Sequence, residues 1–454
     1  MIFFDSLKKK IKEDKHFNEL FSGFSTALIL RITGLFFSYL FIALVSRKFG
    51  AKAVGVFALS LTFLNIYSTL GTIGTGTLFL RFCAEFKSER NRKALKNLFK
   101  KVALIVLTAS LIVSVVAFYN ADFFSTSLLK KTFMKIPLII VAFSTLPFSF
   151  FIIVSEGIRG FKMVKEYMLF RFVGLNFLSI LFLFLLPFIL NMHYKTPFFE
   201  KTVFPILAFV LSVFVLLFFV FYVWIKEYRN IPELKERGRE NQGFLLLLSI
   251  SIPMLFSNSL SLIINWADTI MLGMFKSAET VGYYNVASRI SKIIVIILMA
   301  INTIAAPKFA EFWGKKDIAG LVKIARQSTK LIFWTTFPVF LFFILSSNFL
   351  LGIFGKEFQV ATVCLIILLI GFFYNAVCGS VGLILLMTGH QVFHQNVMFI
   401  GALANIILNY LLIPKYGING AAFASAITMI FWNTLYSFKV RKITGKWIFY
   451  PRIY

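Results

Sequence analysis

Cysteine, histidine and acidic residues are all scarce in this chain, and each shortage removes a class of function. Three cysteines in 454 residues, Cys83, Cys364 and Cys378, form no close-spaced pair, so neither a disulfide framework nor a thiolate metal or redox motif is expected. His390 and His394 have the i, i+4 spacing that puts two imidazoles on one helical face. The Glu of a zinc protease motif is missing, and no metal site is expected. No Walker sequence occurs, and no soluble segment is long enough to hold a nucleotide domain, so the chain alone does not hydrolyse ATP. The stretch GTIGTGTLFL (71–80) is glycine-rich, but it sits in an apolar run and suits close helix packing better than phosphate binding. The N-terminal MIFFDSLKKKIKEDKHFNELF lacks a continuous apolar core with a small-residue cleavage site, so no cleavable signal peptide is read there.

What the chain has in excess is apolar surface: 59% of its residues are hydrophobic and 59 are Phe. That composition belongs in a bilayer. Runs long enough to cross about 30 Å of hydrocarbon, roughly 20 helical residues each, recur throughout. Twelve are expected, near 24–46, 53–79, 102–120, 136–156, 168–190, 203–225, 244–274, 280–305, 331–354, 358–388, 396–413 and 418–438. The fold class is therefore an all-α polytopic membrane protein.

A formal charge of +28 suggests nucleic acid only until the basic residues are placed. With the N-terminus in the cytoplasm, 33 of the 47 Lys and Arg fall in inside segments and 11 in outside loops. Both termini are thus expected to be cytoplasmic, and no nucleic acid partner is implied. Phe4, Leu7, Ile11 and Phe17 lie near one helical face opposite Lys8, Lys9, Lys12 and Lys15, as in a helix resting on an anionic leaflet.

The chain also repeats itself. AVGVFALS (53–60) reads like TVGYYNVAS (280–288), with Val54 aligned to Val281 at an offset of 227, half the length. RGFKMVKEYMLFRFVGLN from Arg159 aligns with TGHQVFHQNVMFIGALAN from Thr388, pairing Asn176 with Asn405. The expected organisation is a basic interfacial segment (1–23), a six-helix half (24–225), a cytoplasmic linker (226–243), a second six-helix half (244–440) and a cytoplasmic tail (441–454). Six is even, so the halves enter the membrane in the same sense, as parallel repeats do.

RITGLFFSYLFIALVSRKFGAKAVGVFALSLTF, ADTIMLGMFKSAETVGYYNVASRIS and GALANIILNYLLIPKYGINGAAFASA resemble the polysaccharide flippases of the multidrug/oligosaccharidyl-lipid/polysaccharide exporter superfamily. The resemblance covers essentially the whole chain. It implies a non-enzymatic carrier in the cytoplasmic membrane that moves a polyisoprenyl-diphosphate-linked oligosaccharide from inner to outer leaflet by alternating access. Its implied partners are that lipid-linked oligosaccharide, membrane lipids and polysaccharide-assembly proteins. No cofactor is implied, and coupling would come from a proton or sodium gradient or the membrane potential. A multidrug or organic-cation antiporter of the related extrusion family is the alternative. It would be expected to show acids facing its cavity, whereas here cations dominate.

Four charges lie at membrane depth: Arg31, Asp268, Arg289 and Lys292. Each costs about 2.5–3.5 kcal/mol to insert, so each is expected to face a cavity or a partner. Asn258, Ser261, Asn265 and Asp268 form one helical stripe, Asn285, Ser288, Arg289 and Lys292 a second, and Asn65, Thr69 and Thr72 a shorter third. The expected binding set is Arg31, Arg289, Lys292, Asn65, Asn258 and Asn265: cations for a diphosphate, amides for sugars. For Asp268 two roles stand, a partner for Arg289 or Lys292 at an outward gate, or a coupling-ion site. Arg31 either faces the cavity or snorkels to headgroups. Glu156 and Arg159 read as interfacial.

The charge asymmetry generates a direct test. Single cysteines placed at Lys195 and Lys276 in a cysteine-free background should react with an impermeant thiol reagent from outside, and ones at Lys235 and Lys316 should not. The reverse labelling pattern would invert the orientation.

Overall fold

The computed structural model describes residues 15–189, 201–232 and 243–450. Among the described residues the chain is helical, with short tight or widened helical links and no strand. The interfacial face expected from Phe4 to Phe17 and part of the 226–243 linker lie outside the described residues or side chains.

Helix α1 (Lys15–Thr72) bends sharply at Gly50, whose φ of 79° and ψ of 177° are accessible to glycine alone without strain. There follow α2 (Thr75–Ser88), α3 (Arg92–Tyr119), α4 (Lys135–Gly160) and α5 (Val164–Met168). A widened π-helical stretch, Leu169–Gly174, joins α5 to α6 (Leu175–Ile189), and α7 (Phe204–Asn230) comes next. The remainder comprises α8 (Phe244–Phe275), α9 (Ala278–Ser291), α10 (Ile293–Gly314), α11 (Ile318–Leu345), α12 (Ser347–Gly352), α13 (Thr362–Cys378), α14 (Val381–Met387) and α15 (Gln391–Thr444). Helix α15 is also bent, at Gly417 with φ 57° and ψ −130°. Among the described residues, nine helical segments are long and apolar enough to cross a membrane. The bends make two passes of α1 and two of α15, and α8 supplies another, which accounts for the twelve expected runs.

Burial follows lipid logic. Phe188, Phe218, Leu245 and Leu345 are 71–84% exposed, which suits hydrocarbon and not water. Polar side chains within the spans bond their own helix: Ser68 to the Leu64 carbonyl at 2.6 Å, Thr145 to Val141 at 2.9 Å, Ser155 to Phe151 at 2.6 Å. Each of these buried hydroxyls is thereby satisfied within its own helix.

The helices form two compact units. Unit 1 holds residues 1–45 and 60–259, and unit 2 holds 46–59 and 260–454. In unit 1, α4 packs on α2, α3 and α7, and α6 packs on α7. Its aromatic end is tight: a Cβ on Gly157 would lie 2.5 Å from the Phe79 ring and 2.8 Å from Trp224 Nε1. Lys87 Nζ donates to Glu227 Oε1 at 2.7 Å and to the Phe161 carbonyl at 2.8 Å, tying α2 to α7. In unit 2, α13 packs on α9, α11 and α15. One apolar core there joins Phe309, Leu321, Cys378, Ile384, Val397 and Tyr436.

Residues 46–59 of α1 pack inside unit 2, against α9. A Cβ on Gly55 would stand 1.7 Å from the Ala278 carbonyl oxygen, and one on Gly282 would stand 2.3 Å from that of Ala51. Ala51 and Ala278, like Gly55 and Gly282, are related by the repeat offset of 227. The crossing is thus built from matching small-xxx-small faces, one from each repeat, with backbone touching backbone. Nearby, Ala51 N–H donates to Glu357 Oε1 at 2.9 Å and Arg47 Nε donates to the Ile353 carbonyl at 2.8 Å.

Replacing either glycine of the crossing by valine should therefore be severe, because a carbonyl cannot swing aside as a side-chain tip does. Overpacking that can relax costs about 1–3 kcal/mol, and these sites should reach or exceed that range. Gly55→Val and Gly282→Val should each lower the thermal midpoint of the purified protein by several degrees or prevent its accumulation. Gly76→Ala, whose added Cβ would meet nothing closer than 3.7 Å, should leave the midpoint in place.

Candidate functional site

Asp268, on α8, is 6% exposed and lies inside unit 2. Its Oδ2 accepts from Tyr284 Oη on α9 and from Ser425 Oγ on α15 at 2.5 Å, and its Oδ1 accepts from Asn409 Nδ2 on α15 at 2.6 Å. Asn409 Nδ2 also donates to Asn405 Oδ1 at 3.0 Å, while among the described residues the buried Asn409 Oδ1 has no partner. The bend at Gly417 makes this cage. Asn409 and Ser425 would stand about 24 Å apart on a straight helix at 1.5 Å per residue. Folding α15 back brings both to one carboxylate. Close approach of the two arms requires glycine at 420, where a Cβ would fall 2.4 Å from the Leu412 carbonyl oxygen.

The expected pairing of Asp268 with Arg289 or Lys292 is not made by direct contact, although the Asp268 and Lys292 charges act on one another through space. Among the described residues Asp268 makes no ion pair, and its hydrogen-bond donors are all neutral. Arg289 Nε instead donates to Asn285 Oδ1, one helical turn back on α9, at 2.9 Å. Lys292 is exposed at the break between α9 and α10. The expected stripe on α8 divides for the same reason: Asp268 turns inward toward α15, whereas Asn265 is exposed. Asn258 lies outside the described side chains.

Unit 1 holds a different constellation. Arg31 lays its guanidinium 4.8 Å from the Phe172 ring. Its helix approaches closely there, since a Cβ on Gly34 would lie 2.7 Å from Phe172 Cβ. The adjacent Arg171 belongs to the candidate span Val164–Leu186 and stands 5.7 Å from the Phe151 ring, with its Nη1 buried and without a hydrogen-bond partner among the described residues. Neither arginine makes an ion pair among the described residues. Glu156, a carboxylate of this region, accepts from Arg159 and Tyr167, both at 3.2 Å. Asn65 Nδ2 bonds the Leu61 carbonyl of its own helix at 2.6 Å.

Sequence reasoning did not single out Arg171, Tyr284, Asn409 or Ser425. The apolar neighbours Phe170 and Phe172 were the available signal for Arg171. For Asn409 the signal was its i, i+4 spacing from Asn405 in an apolar run; for Ser425 there was none. The histidine pair is engaged locally: His394 stacks on Tyr436 with ring centroids 4.8 Å apart, and His390 Nδ1 lies 3.1 Å from Thr388 Oγ1.

These features define a multi-pass, all-α membrane protein whose two helical units each hold a buried polar group of their own. The chain belongs to the polysaccharide biosynthesis protein family, whose model matches residues 20–313, and with it to the polysaccharide flippases of the multidrug/oligosaccharidyl-lipid/polysaccharide exporter superfamily. The MatE family model also matches, over residues 253–411. A Haloferax volcanii protein described as a probable low-salt glycan biosynthesis flippase is 27% identical over 165 residues, covering 36% of this chain and 35% of that protein. The match thus spans about a third of that relative's length. A Staphylococcus aureus capsular polysaccharide biosynthesis protein is 25% identical over 186 residues, 41% of this chain and 47% of its own. In three dimensions the fold resembles the lipid II flippase MurJ in an inward closed conformation, with a TM-score of 0.70 at 16% identity, covering 93% of this chain and 87% of that one.

The cage and the separate Arg289–Asn285 bond generate a thermodynamic test. Asp268→Ala should leave three donors without their acceptor, at about 1–3 kcal/mol for each buried group that stays unsatisfied. The thermal midpoint should fall markedly, and Asp268→Asn should recover part of the loss. Asp268→Asn and Arg289→Gln should add without coupling in a double-mutant cycle. A double variant more stable than both single variants would restore the direct ion pair.

Proposed function

We propose that this protein is a flippase carrying a polyisoprenyl-diphosphate-linked oligosaccharide from the inner to the outer leaflet of the cytoplasmic membrane by alternating access. Both termini face the cytoplasm in this reading, which rests on the 33 to 11 distribution of basic residues. The observation that carries the substrate class is two arginines of unit 1 within candidate spans, Arg31 against the Phe172 ring and Arg171 against the Phe151 ring, neither with an ion-pair partner among the described residues. Two planar guanidinium forks suit a diphosphate, which offers several oxygens to bidentate donors. Phe172 adds an apolar face against which a guanidinium stacks. The family and the glycan-related names of its relatives support the same class of cargo. Arg289 and Lys292 add cations in unit 2, and Asn65 and Asn265 are the amides assigned to the sugars.

Asp268 takes the coupling role in this proposal. A carboxylate with Asn409 Oδ1, Asn405 Oδ1 and Ser425 Oγ near it offers hard oxygen ligands to a sodium ion, and the same carboxylate can accept a proton. Either cation would change which of its neutral neighbours must donate, and so would bias the α15 bend. The protein acts as a carrier and not as an enzyme in this reading. An ion-coupled multidrug or organic-cation antiporter is the second reading, favoured by the MatE match over 253–411. The excess of cations over acids in the spans weighs against it.

Depletion of the protein in its native cell separates the two. A flippase should leave the lipid-linked intermediate in the inner leaflet and abolish the surface glycan, with resistance to cationic drugs unchanged. Intact glycan with lost drug resistance would establish the antiporter instead. Arg31→Ala and Arg171→Ala should each lower glycan export at least about tenfold with little loss of folded protein, and the lysine variants should recover export only in part.

A further inference from the structure

A cavity of about 470 Å³ opens at the start of α11, far along the chain from the Asp268 cage and the arginine pair, and its lining includes Lys323, Arg326, Gln327 and Lys446 over an apolar floor of Ile318 and Val322. The α11 residues follow from a helix that is amphipathic at this end. Leu321, Val322 and Ala325 are buried, while Lys323 and Gln327 are exposed. Lys446 arrives from the chain beyond α15, where Gly445, with φ 72°, turns the backbone out of the helix. Arg326 Nε donates to the Trp447 carbonyl at 3.1 Å, which fixes the guanidinium at the cavity wall. Among the described residues, neither Lys323 Nζ nor Lys446 Nζ is held by a protein partner. Arg441, stacked 4.5 Å from the Trp447 ring, adds to the positive field. The nearby carboxylates are engaged elsewhere: Asp317 accepts from Gly320 N–H at 2.8 Å as the helix cap, and Glu311 pairs with Lys315 at 2.5 Å.

Depth decides the ligand. Trp334 is 53% exposed and its Nε1 lies 3.3 Å from Tyr450 Oη. Such amphipathic rings settle at the boundary between headgroups and hydrocarbon. Arg326 stands eight residues before Trp334, about 12 Å along the helix on the N-terminal side, beyond the start of the apolar run. The cations therefore lie at headgroup level. Lys323, Gln327, Leu331 and Trp334 follow i, i+4, i+8, i+11, so the cavity continues along one face into exposed apolar surface, with Leu331 also 53% exposed.

We infer that this cavity is a binding site for the phosphate headgroup of an anionic glycerophospholipid, with acyl chains lying along Leu331 and Trp334. Lys323 and Lys446 supply point charges to the phosphate, and Arg326 supplies an oriented donor. The site is separate from the cargo route proposed above and does not depend on the identity of the cargo.

The test is titration of the purified full chain, in a neutral detergent at low salt, with fluorescent phosphatidylglycerol and with its phosphatidylcholine counterpart. The unaltered chain should bind phosphatidylglycerol at least about tenfold more tightly. Lys323→Gln with Lys446→Gln should weaken that binding about 30-fold, as expected for two cations beside an anionic headgroup. Lys96→Gln with Lys100→Gln, the same loss of charge on α3 of unit 1, should change it less than about threefold. Lys323→Arg with Lys446→Arg should keep the affinity, which separates lost charge from damaged folding. Equal weakening by the two glutamine pairs would reduce the effect to net charge and overturn the site. Unchanged binding by Lys323→Gln with Lys446→Gln would overturn it as well. Displacement of the lipid by millimolar glycerol phosphate would show that the cavity takes free phosphate and would overturn the lipid assignment.

Discussion

Two helices can touch backbone to backbone only where neither carries a side chain at the contact, and the crossing of residues 46–59 with α9 depends on that constraint. Ala51 and Gly55 face Ala278 and Gly282, and each glycine lies against the carbonyl four residues before the other. In lipid there is no hydrophobic force to press helices together, so close packing and satisfied polar groups must do the work. The crossing seats the start of the second pass of α1 in unit 2, although the rest of that pass belongs to unit 1. Gly50 makes this arrangement reachable, because its bend releases the chain from the first pass.

The same economy of backbone explains the Asp268 cage. A buried carboxylate in a membrane needs either an opposite charge or several donors. Here it has three neutral donors from two other helices, and the Gly417 bend is what lets one helix contribute two of them. Neutral donors hold the carboxylate by direct contact, and its charge also reaches Lys292 through space. Asn409 Oδ1 is buried and without a partner among the described residues.

Unit 1 shows the opposite polarity. Arg31 and Arg171 lie against aromatic rings and make no ion pair among the described residues. The basic cavity at α11 adds a third polar feature.

Sequence alone determined the solvent, the helical class and the approximate number of apolar runs, and it placed Arg31, Asp268, Arg289 and Lys292 within those runs. These are properties of composition and of spacing along one helix, which survive without knowledge of neighbours. It also supplied the resemblance that named the family. The partner of Asp268 was decided only by tertiary structure. Matching depth on adjacent helices suggested Arg289 or Lys292, but depth says nothing about rotation about the helix axis, and Asp268 turns toward α15. Ser425 and Asn409 reach it through a bend set by one glycine dihedral pair, which no periodicity encodes. Arg171, inside the expected 168–190 run, was not singled out, because spacing along its own helix does not show that Phe151 of another helix lies against it. Positions along a helix follow from a rise of about 1.5 Å per residue, whereas contacts between helices follow from rotation and bending that only the packed molecule sets.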